Sequence, residues 1–321
     1  MCQSCSSELG TVYDVATATT PPIDDVFSGD PGGGTATRSS AAITSVARES
    51  FAVDHFTCAD AIRMVPPNVE SPLILQIFDS SYFKMQENAL MFMRQNAPQR
   101  IGSLYLVCLD DVSAAKMDAP FGIPCVTIDG VTSRALLLAT RVKIITCLTQ
   151  GGHDVLMSDN DALWLADPIP DLRAIEGDML FQRGTFPHKY QDPVYGVTLC
   201  AGFALYRAGS EGIGKFMEAV ANALDTVGSD QVAHNAAAFL YHLEWDYNTS
   251  RSDMRHYRST GVGRGVLTAQ PGHFVVALLP HNKYTRDCNK TTISSEAIIA
   301  HCFPRHNREK AMKEASMWLA D

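Results

Sequence analysis

Two carboxylates, Asp159 and Asp161, stand two residues apart just after the apolar run Val155-Leu-Met-Ser158. Residues i and i+2 of a strand project to the same face, so where the strand frays into a loop both carboxylates can converge on one divalent cation. Mg²⁺ and Mn²⁺ take such oxygen ligands, and a diphosphate can complete the coordination. The competing reading is a turn that uses the same residues for local backbone hydrogen bonds. Trp164, Asp167 and Pro168 close the loop and favour the metal reading. A calcium loop is excluded, because Ala162-Leu163 stand where an oxygen ligand and a glycine are needed. A phosphohydrolase of the Asp-x-Asp type fits poorly too: its nucleophile lies near the start of the domain, and its motif prefers Thr or Val where Ala162-Leu163 stand.

The elements that must position this pair follow from periodicity. Leu73–Phe78 reads as a first buried strand, 82–95 as a helix, and Ser103–Leu109 and Pro124–Ile128 as further strands. A long helix is expected over 133–150, stopped by Gly151-Gly152, with Asp154–Ser158 as the strand that leads into the carboxylates. Strands are also expected at 178–181, 199–206, 275–279 and 297–301, and helices at 213–226 and 229–241. Strands alternating with helices predict an α/β, mostly parallel sheet covered on both faces. Ligands then bind at the carboxyl ends of strands, where Asp79, Asp110, Asp159 and Asp161 all fall. Residues 1–50, rich in Ser, Thr, Ala, Gly and Pro, predict a disordered tail or stem, and 51–321 a single domain.

The chain has 321 residues, a net charge of −9 and 46% hydrophobic residues. This suits a sizeable core and argues against a nucleic-acid binder, since no basic run supplies the needed field. Nine cysteines leave the redox compartment open: Cys2-x-x-Cys5 has no matching second pair for zinc, while Cys108 and Cys147 lie in apolar runs and read as small buried hydrophobes. Asn248-Thr-Ser250 and Asn289-Lys-Thr291 are glycosylation sequons that would suit a secretory lumen. No window has the length of apolar sequence that a membrane span requires, and the N-terminus lacks a signal-peptide pattern.

Four blocks together resemble the nucleotide-diphospho-sugar transferases of glycosyltransferase family 77, related in layout to family 8. They are Thr140-Arg-Val-Lys143 through Gly152, Val155 through Pro168, Ala201-Gly-Phe-Ala-Leu-Tyr-Arg207, and Ser229-Asp-Gln-x-x-His-Asn235. The resemblance implies a Rossmann-like GT-A fold, a UDP-linked donor, Mn²⁺ or Mg²⁺, and transfer with retention to a glycan, glycoprotein or small glycoside. It further implies metal ligation by Asp159, Asp161 and a late histidine, for which His301 fits; a core histidine is the other reading. Asp159 is also a candidate for holding the ribose.

Several further roles are carried over by position. Arg305 or Lys310 is the candidate for the diphosphate, in a segment that departs from the family's usual small-residue, Gly and Lys continuation. Arg141 and Lys143 diverge by about 200° around a helix, so at most one of them faces the donor easily; Lys143 matches the family position better, with a solvated charge on an amphipathic helix as the other reading. Asp230 and Gln231 are candidates at the reacting sugar, with helix capping as the alternative for Asp230. Asp79, Tyr82 and Asp110 are candidates for the nucleoside, and Gly202 for a close approach of ligand or backbone. Cys200 stands where the family frequently carries Asn.

The resemblance points to a Golgi lumen, whereas the chain taken as complete would be cytoplasmic. A degenerate transferase that binds a sugar nucleotide or a partner without turnover is the alternative function. Asp161→Ala is expected to abolish turnover and leave folding intact.

Overall fold

The structure, a computed structural model, describes residues 49–67, 69–186, 197–246, 258–269, 274–288, 292–302 and 308–320. Tail residues 1–48, both sequons and Arg305 lie outside these. Ser45–Asp321 clusters as one compact unit.

The run Leu-Ile-Leu-Gln-Ile-Phe forms a strand over Leu73–Phe78 (β2) that is buried along its whole length, as expected for a strand covered on both faces. It follows a short edge strand, Ser50–Ala52 (β1), and a one-turn helix, Cys58–Arg63 (α1). The chain then alternates through Phe83–Asn96 (α2), Leu104–Cys108 (β3), Asp111–Phe121 (α3), Cys125–Asp129 (β4), Arg134–Gln150 (α4) and Val155–Ser158 (β5). Ser133 caps α4 by accepting from Leu136 N, and Gly151 ends it.

After β5 come a three-residue strand, Ala162–Trp164 (β6), the helix Ile169–Ala174 (α5), and the strands Met179–Gly184 (β7) and Thr198–Tyr206 (β8). Two helices, Glu211–Val227 (α6) and Asp230–Leu240 (α7), precede Leu243–Trp245 (β9), Gly263–Leu267 (β10) and Val275–Leu278 (β11). The described chain finishes with Tyr284–Thr285 (β12), Ile299–His301 (β13) and Arg308–Glu314 (α8).

Among the described residues the main sheet has ten strands in the order β1-β4-β3-β2-β5-β8-β7-β11-β10-β9. Pairing is parallel from β1 through β5, while β8 runs against both β5 and β7. Alternate side chains divide between two cores. Leu75, Val107, Met157 and Phe181 pack with α1, α4, α6 and α7 on one face. Ile74, Leu106, Leu156 and Leu180 pack with α2, α3 and α5 on the other. The expected mixed, mostly parallel sheet with helices on both faces is borne out.

The chain winds outward from β2 through β3 to β4, then returns to place β5 on the other side of β2. This reversal of strand order falls between β2 and β5, and sheets of this kind bind ligands outside the carboxyl ends of the strands at such a point. A second sheet, β12-β13-β6, stands beside it.

The cysteine reading needs correction. Cys108 and Cys147 are buried, but they are bonded: Cys58–Cys147, Cys108–Cys125 and Cys288–Cys302 are disulfides. Partners 89 and 17 residues apart are brought together by tertiary packing, which spacing alone does not disclose.

Candidate active site

Asp159, Asp161 and His301 converge at the end of β5, with one donor atom from each lying within 4.8 Å of the others. A tight turn makes this possible: Asp159 N donates to Gly202 O at 2.7 Å, and Ala162 N donates back to Asp159 O at 2.9 Å. The chain then enters β6, which pairs antiparallel with β13 so that His301 faces Ala162. Cys302 N donates to Asp161 O at 2.7 Å, locking that register. His301 Nε2 consequently lies 3.1 Å from Asp161 Oδ1 and 3.8 Å from Asp159 Oδ2.

Gly202 explains how three side chains share this corner. A Cβ there would collide with Asp159 Oδ2 and stand 2.5 Å from His301 Cε1. The absent side chain makes room for the Asp159 carboxylate and the His301 ring, the close approach expected of a strand glycine. Two hard carboxylate oxygens and an imidazole nitrogen within this span suit a divalent cation.

Cationic groups surround the cluster. Arg308 Nη1, at the start of α8, lies 3.2 Å from Asp161 Oδ2. Arg286 Nη1 lies 2.7 Å from Cys200 Sγ and 3.0 Å from His301 Nδ1. Burial works against charge on Asp161, but His301, Arg308 and Arg286 outweigh it and hold the carboxyl below the ordinary aspartate range. Burial and Arg286 depress the His301 imidazole, yet Asp161 and Cys200 prevail and lift it to about 9. A bound cation would compete with that proton. Cys200, the unbridged thiol among the described residues, is raised by burial but drawn down by Arg286 and His301 to about 7.

Arg141 connects this corner to α7. Its Nη1 donates to Asp159 Oδ1 at 2.6 Å and its Nη2 to Asp230 Oδ2. Asp230 is buried and also accepts from Gln231 N at 2.9 Å, while the Ser229 side chain makes no capping bond. Asn235 fixes α7 against β8 by bonding both Leu199 N and Leu199 O at 2.9 Å. Gln231 Nε2 donates to Phe186 O.

The preference for Lys143 is corrected by this geometry. Lys143 points away and donates to Phe56 O at 2.5 Å, whereas Arg141 reaches the site. The signal was present in the helix: Leu138, Arg141, Ile145 and Leu148 lie on one buried stripe, and exposed Lys143 falls outside it. Lys310 Nζ faces Glu314 across 3.9 Å with the side chain 70% exposed.

The nucleoside candidates occupy the carboxyl ends of β2 and β3 with their carboxylates already engaged. Asp79 accepts from Ser81 N at 2.9 Å and Tyr82 N at 3.1 Å. Asp110 accepts from Ser80 N at 2.8 Å and Ser113 N at 2.6 Å, bonds that hold its carboxyl low against the opposing effect of burial. Tyr82 is exposed. Trp164 is fully buried under the loop, its Nε1 donating to Ser158 Oγ at 3.2 Å.

Gln182, Arg286 and Arg308 escaped sequence reasoning because no motif marks them; register and loop path bring them to the site.

The family model described as nucleotide-diphospho-sugar transferase matches residues 129–299. No curated protein matches the chain. Among solved structures, the glycosyltransferase GlyE of Streptococcus pneumoniae TIGR4 is similar at 16% identity and a TM-score of 0.36, over 52% of this chain and 43% of that one. The chain thus spans less than half the length of GlyE. The galactosyltransferase LgtC, in complex with donor and acceptor sugar analogs, is similar at 14% identity and a TM-score of 0.39, over 76% of this chain and 95% of that one. Mouse xyloside xylosyltransferase 1 is similar at 12% identity and a TM-score of 0.36, over 53% of this chain and 82% of that one. Because the family model spans β5, β6, β8, α7 and the start of β13, the elements that assemble the carboxylate corner, the chain belongs to the nucleotide-diphospho-sugar transferase family.

Proposed function

We propose that this chain is a metal-dependent glycosyltransferase of the family 77 kind. It moves a sugar from a UDP-sugar to a hydroxyl of a glycan, glycoprotein or small glycoside, with retention at the anomeric carbon. The observation that carries the reading is the convergence of Asp159, Asp161 and His301 within 4.8 Å at the carboxyl end of β5.

Negative charge grows on the diphosphate oxygen as the glycosidic bond breaks, and the barrier falls when that charge meets groups already in place. A divalent cation held by Asp159, Asp161 and His301 would supply Lewis-acid neutralisation there. Arg308 and Arg286 add fixed positive charge beside the same corner. Asp230, oriented by Arg141 and by its own helix, presents a carboxylate for donor-sugar hydroxyls, with Gln231 alongside. Asp159 and Asp230 both pair with Arg141, and Asp161 with Arg308, a state that weakens each as a covalent nucleophile. This supports a front-face route in which the departing diphosphate takes the acceptor's proton. Three disulfides support an oxidising compartment such as the Golgi lumen. Among the described residues no helix is long and apolar enough to cross a membrane.

A second reading, sugar-nucleotide binding without turnover, draws on the way Arg141 satisfies Asp159 and Asp230 at once. Incubation with a panel of UDP- and GDP-sugars plus Mn²⁺ separates the two. Metal-dependent nucleotide release that is lost in Asp161→Asn supports the enzyme. Calorimetric UDP binding without release, across varied acceptors, supports the binder, and absence of both overturns both.

A further inference from the structure

We propose that Gln182 is a positioning residue that sets which nitrogen of His301 faces the cation, an inference that rests on reading Asp159, Asp161 and His301 as a metal centre. Pairing between β7 and β8 runs Phe181 with Ala204 and then jumps to Gln182 with Cys200, so Ala201–Phe203 bulge out of the ladder. Bulges beside active sites re-aim side chains. Here the interruption sets fully buried Gln182 beside the His301 ring, with its side-chain oxygen 2.7 Å from Nδ1.

The orientation of that amide follows from its other end. Gln182 Nε2 donates to Tyr284 O at 3.1 Å and to Thr285 O at 3.0 Å. Backbone carbonyls only accept, so the end that faces them must be the NH₂, and the atom against His301 must be Oε1. Oε1 carries no hydrogen, so the 2.7 Å contact requires the proton on Nδ1. An imidazole protonated there carries its lone pair on Nε2, the nitrogen turned toward Asp161 and Asp159. Arg286 Nη1, 3.0 Å from Nδ1, is a donor and cannot take this proton; it has Cys200 Sγ as an acceptor at 2.7 Å. Ligating histidines generally hand their second N–H to such a partner, which fixes ring and tautomer together.

Gln182 also ties β7 to β12, so the experiment must separate aiming the ring from stapling two sheets. Mn²⁺ affinity is measured by calorimetry on the full chain in the presence of UDP. Gln182→Leu, which removes the acceptor, is expected to weaken Mn²⁺ by roughly 10- to 100-fold. Gln182→Glu keeps an acceptor for Nδ1 while losing both donors to the carbonyls, and is expected to stay within about 3-fold of wild type. Equal weakening in both variants would assign Gln182 to the staple and overturn the proposal. Wild-type affinity in Gln182→Leu would overturn it while leaving the metal centre standing. Failure of the unaltered chain to bind Mn²⁺ would overturn both. A second readout does not depend on Gln182→Leu folding: ¹⁵N spectra of the Mg²⁺-loaded wild type, with His301 identified through His301→Gln, should show the proton on Nδ1. A proton on Nε2 would overturn the inference.

Discussion

His301 Nε2 lies 3.1 Å from Asp161 Oδ1 although 140 residues separate them. The antiparallel pairing of β13 with β6 is what closes that distance. Asp161 is therefore both a candidate metal ligand and the buried partner of His301 and Arg308. The expectation that Asp161→Ala leaves folding intact needs revision: deleting one member of a buried charged set costs up to about 3–5 kcal/mol, less here because Arg308 is partly exposed. Asp161→Asn keeps the shape and removes the charge. It should lower turnover by about 1,000-fold, consistent with several kcal/mol of lost electrostatic stabilisation, at near-wild-type secondary structure by circular dichroism. Turnover within a few-fold of wild type would remove Asp161 from the metal centre.

Arg141 reaches Asp159 and Asp230 with two different guanidinium nitrogens, a fork that an ammonium cannot reproduce. Arg141→Lys is accordingly expected to reduce kcat/KM by about 10- to 100-fold and to lower the melting temperature, because Asp230 is left poorly paired in a buried position. Lys143→Gln, on the other side of the helix, should change kcat/KM by less than about 2-fold, the usual scale for a surface substitution. Steady-state kinetics on the two variants side by side checks the pair.

Gly202→Ala tests the packing of the carboxylate corner. The added Cβ would meet Asp159 Oδ2 and His301 Cε1, so both candidate ligands must shift. Mn²⁺ affinity should fall by at least about 10-fold while the chain stays folded, since metal sites lose affinity when supporting geometry is disturbed. Calorimetry alongside a thermal melt distinguishes a moved ligand from a lost fold.

His234 gives the fold a defined acid sensitivity. It is fully buried between Tyr206 Oη and Asp230 O, and burial first, Arg141 second, push its imidazole down to about 3. Its folded pKa lies below the unfolded value near 6.5, so the unfolded chain binds more protons between the two. The stability that depends on neutral His234 is fully present above about pH 6.5 and declines as the pH drops toward 3, by up to about 1.4 kcal/mol per pH unit. Denaturant titrations at pH 7.5, 5.5 and 4.5 should show a steeper loss in wild type than in His234→Gln. Parallel pH profiles would show that His234 is not the group responsible.

Local pattern was enough for much of the scaffold. The run Leu73–Phe78, the strand into Asp159 and the helix that ends at Gly151 are legible because an apolar period and a glycine stop are properties of neighbouring residues. The Asp159/Asp161 pair stands out for the same reason, lying beside a recognisable strand, whereas His301 entered only through the family resemblance, because a lone late histidine carries no local signal of its partners. Short β6 was not, because three residues carry no period.

What sequence alone determined, then, is where the longer, strongly patterned strands and helices lie and which acids fall at strand ends, since these follow from periodicities along the chain; short elements such as β6, α5 and β9 carry no such period. Tertiary structure alone decided that Arg141 rather than Lys143 enters the site, that Arg308 and Arg286 supply charge, that Gln182 meets His301, and how six cysteines pair. Those outcomes depend on which helix face is buried and on strand register. A rotation of about 100° per helical residue, or a one-residue slip in a strand, reverses where a side chain points. The contacts that select among these arrangements come from distant parts of the chain.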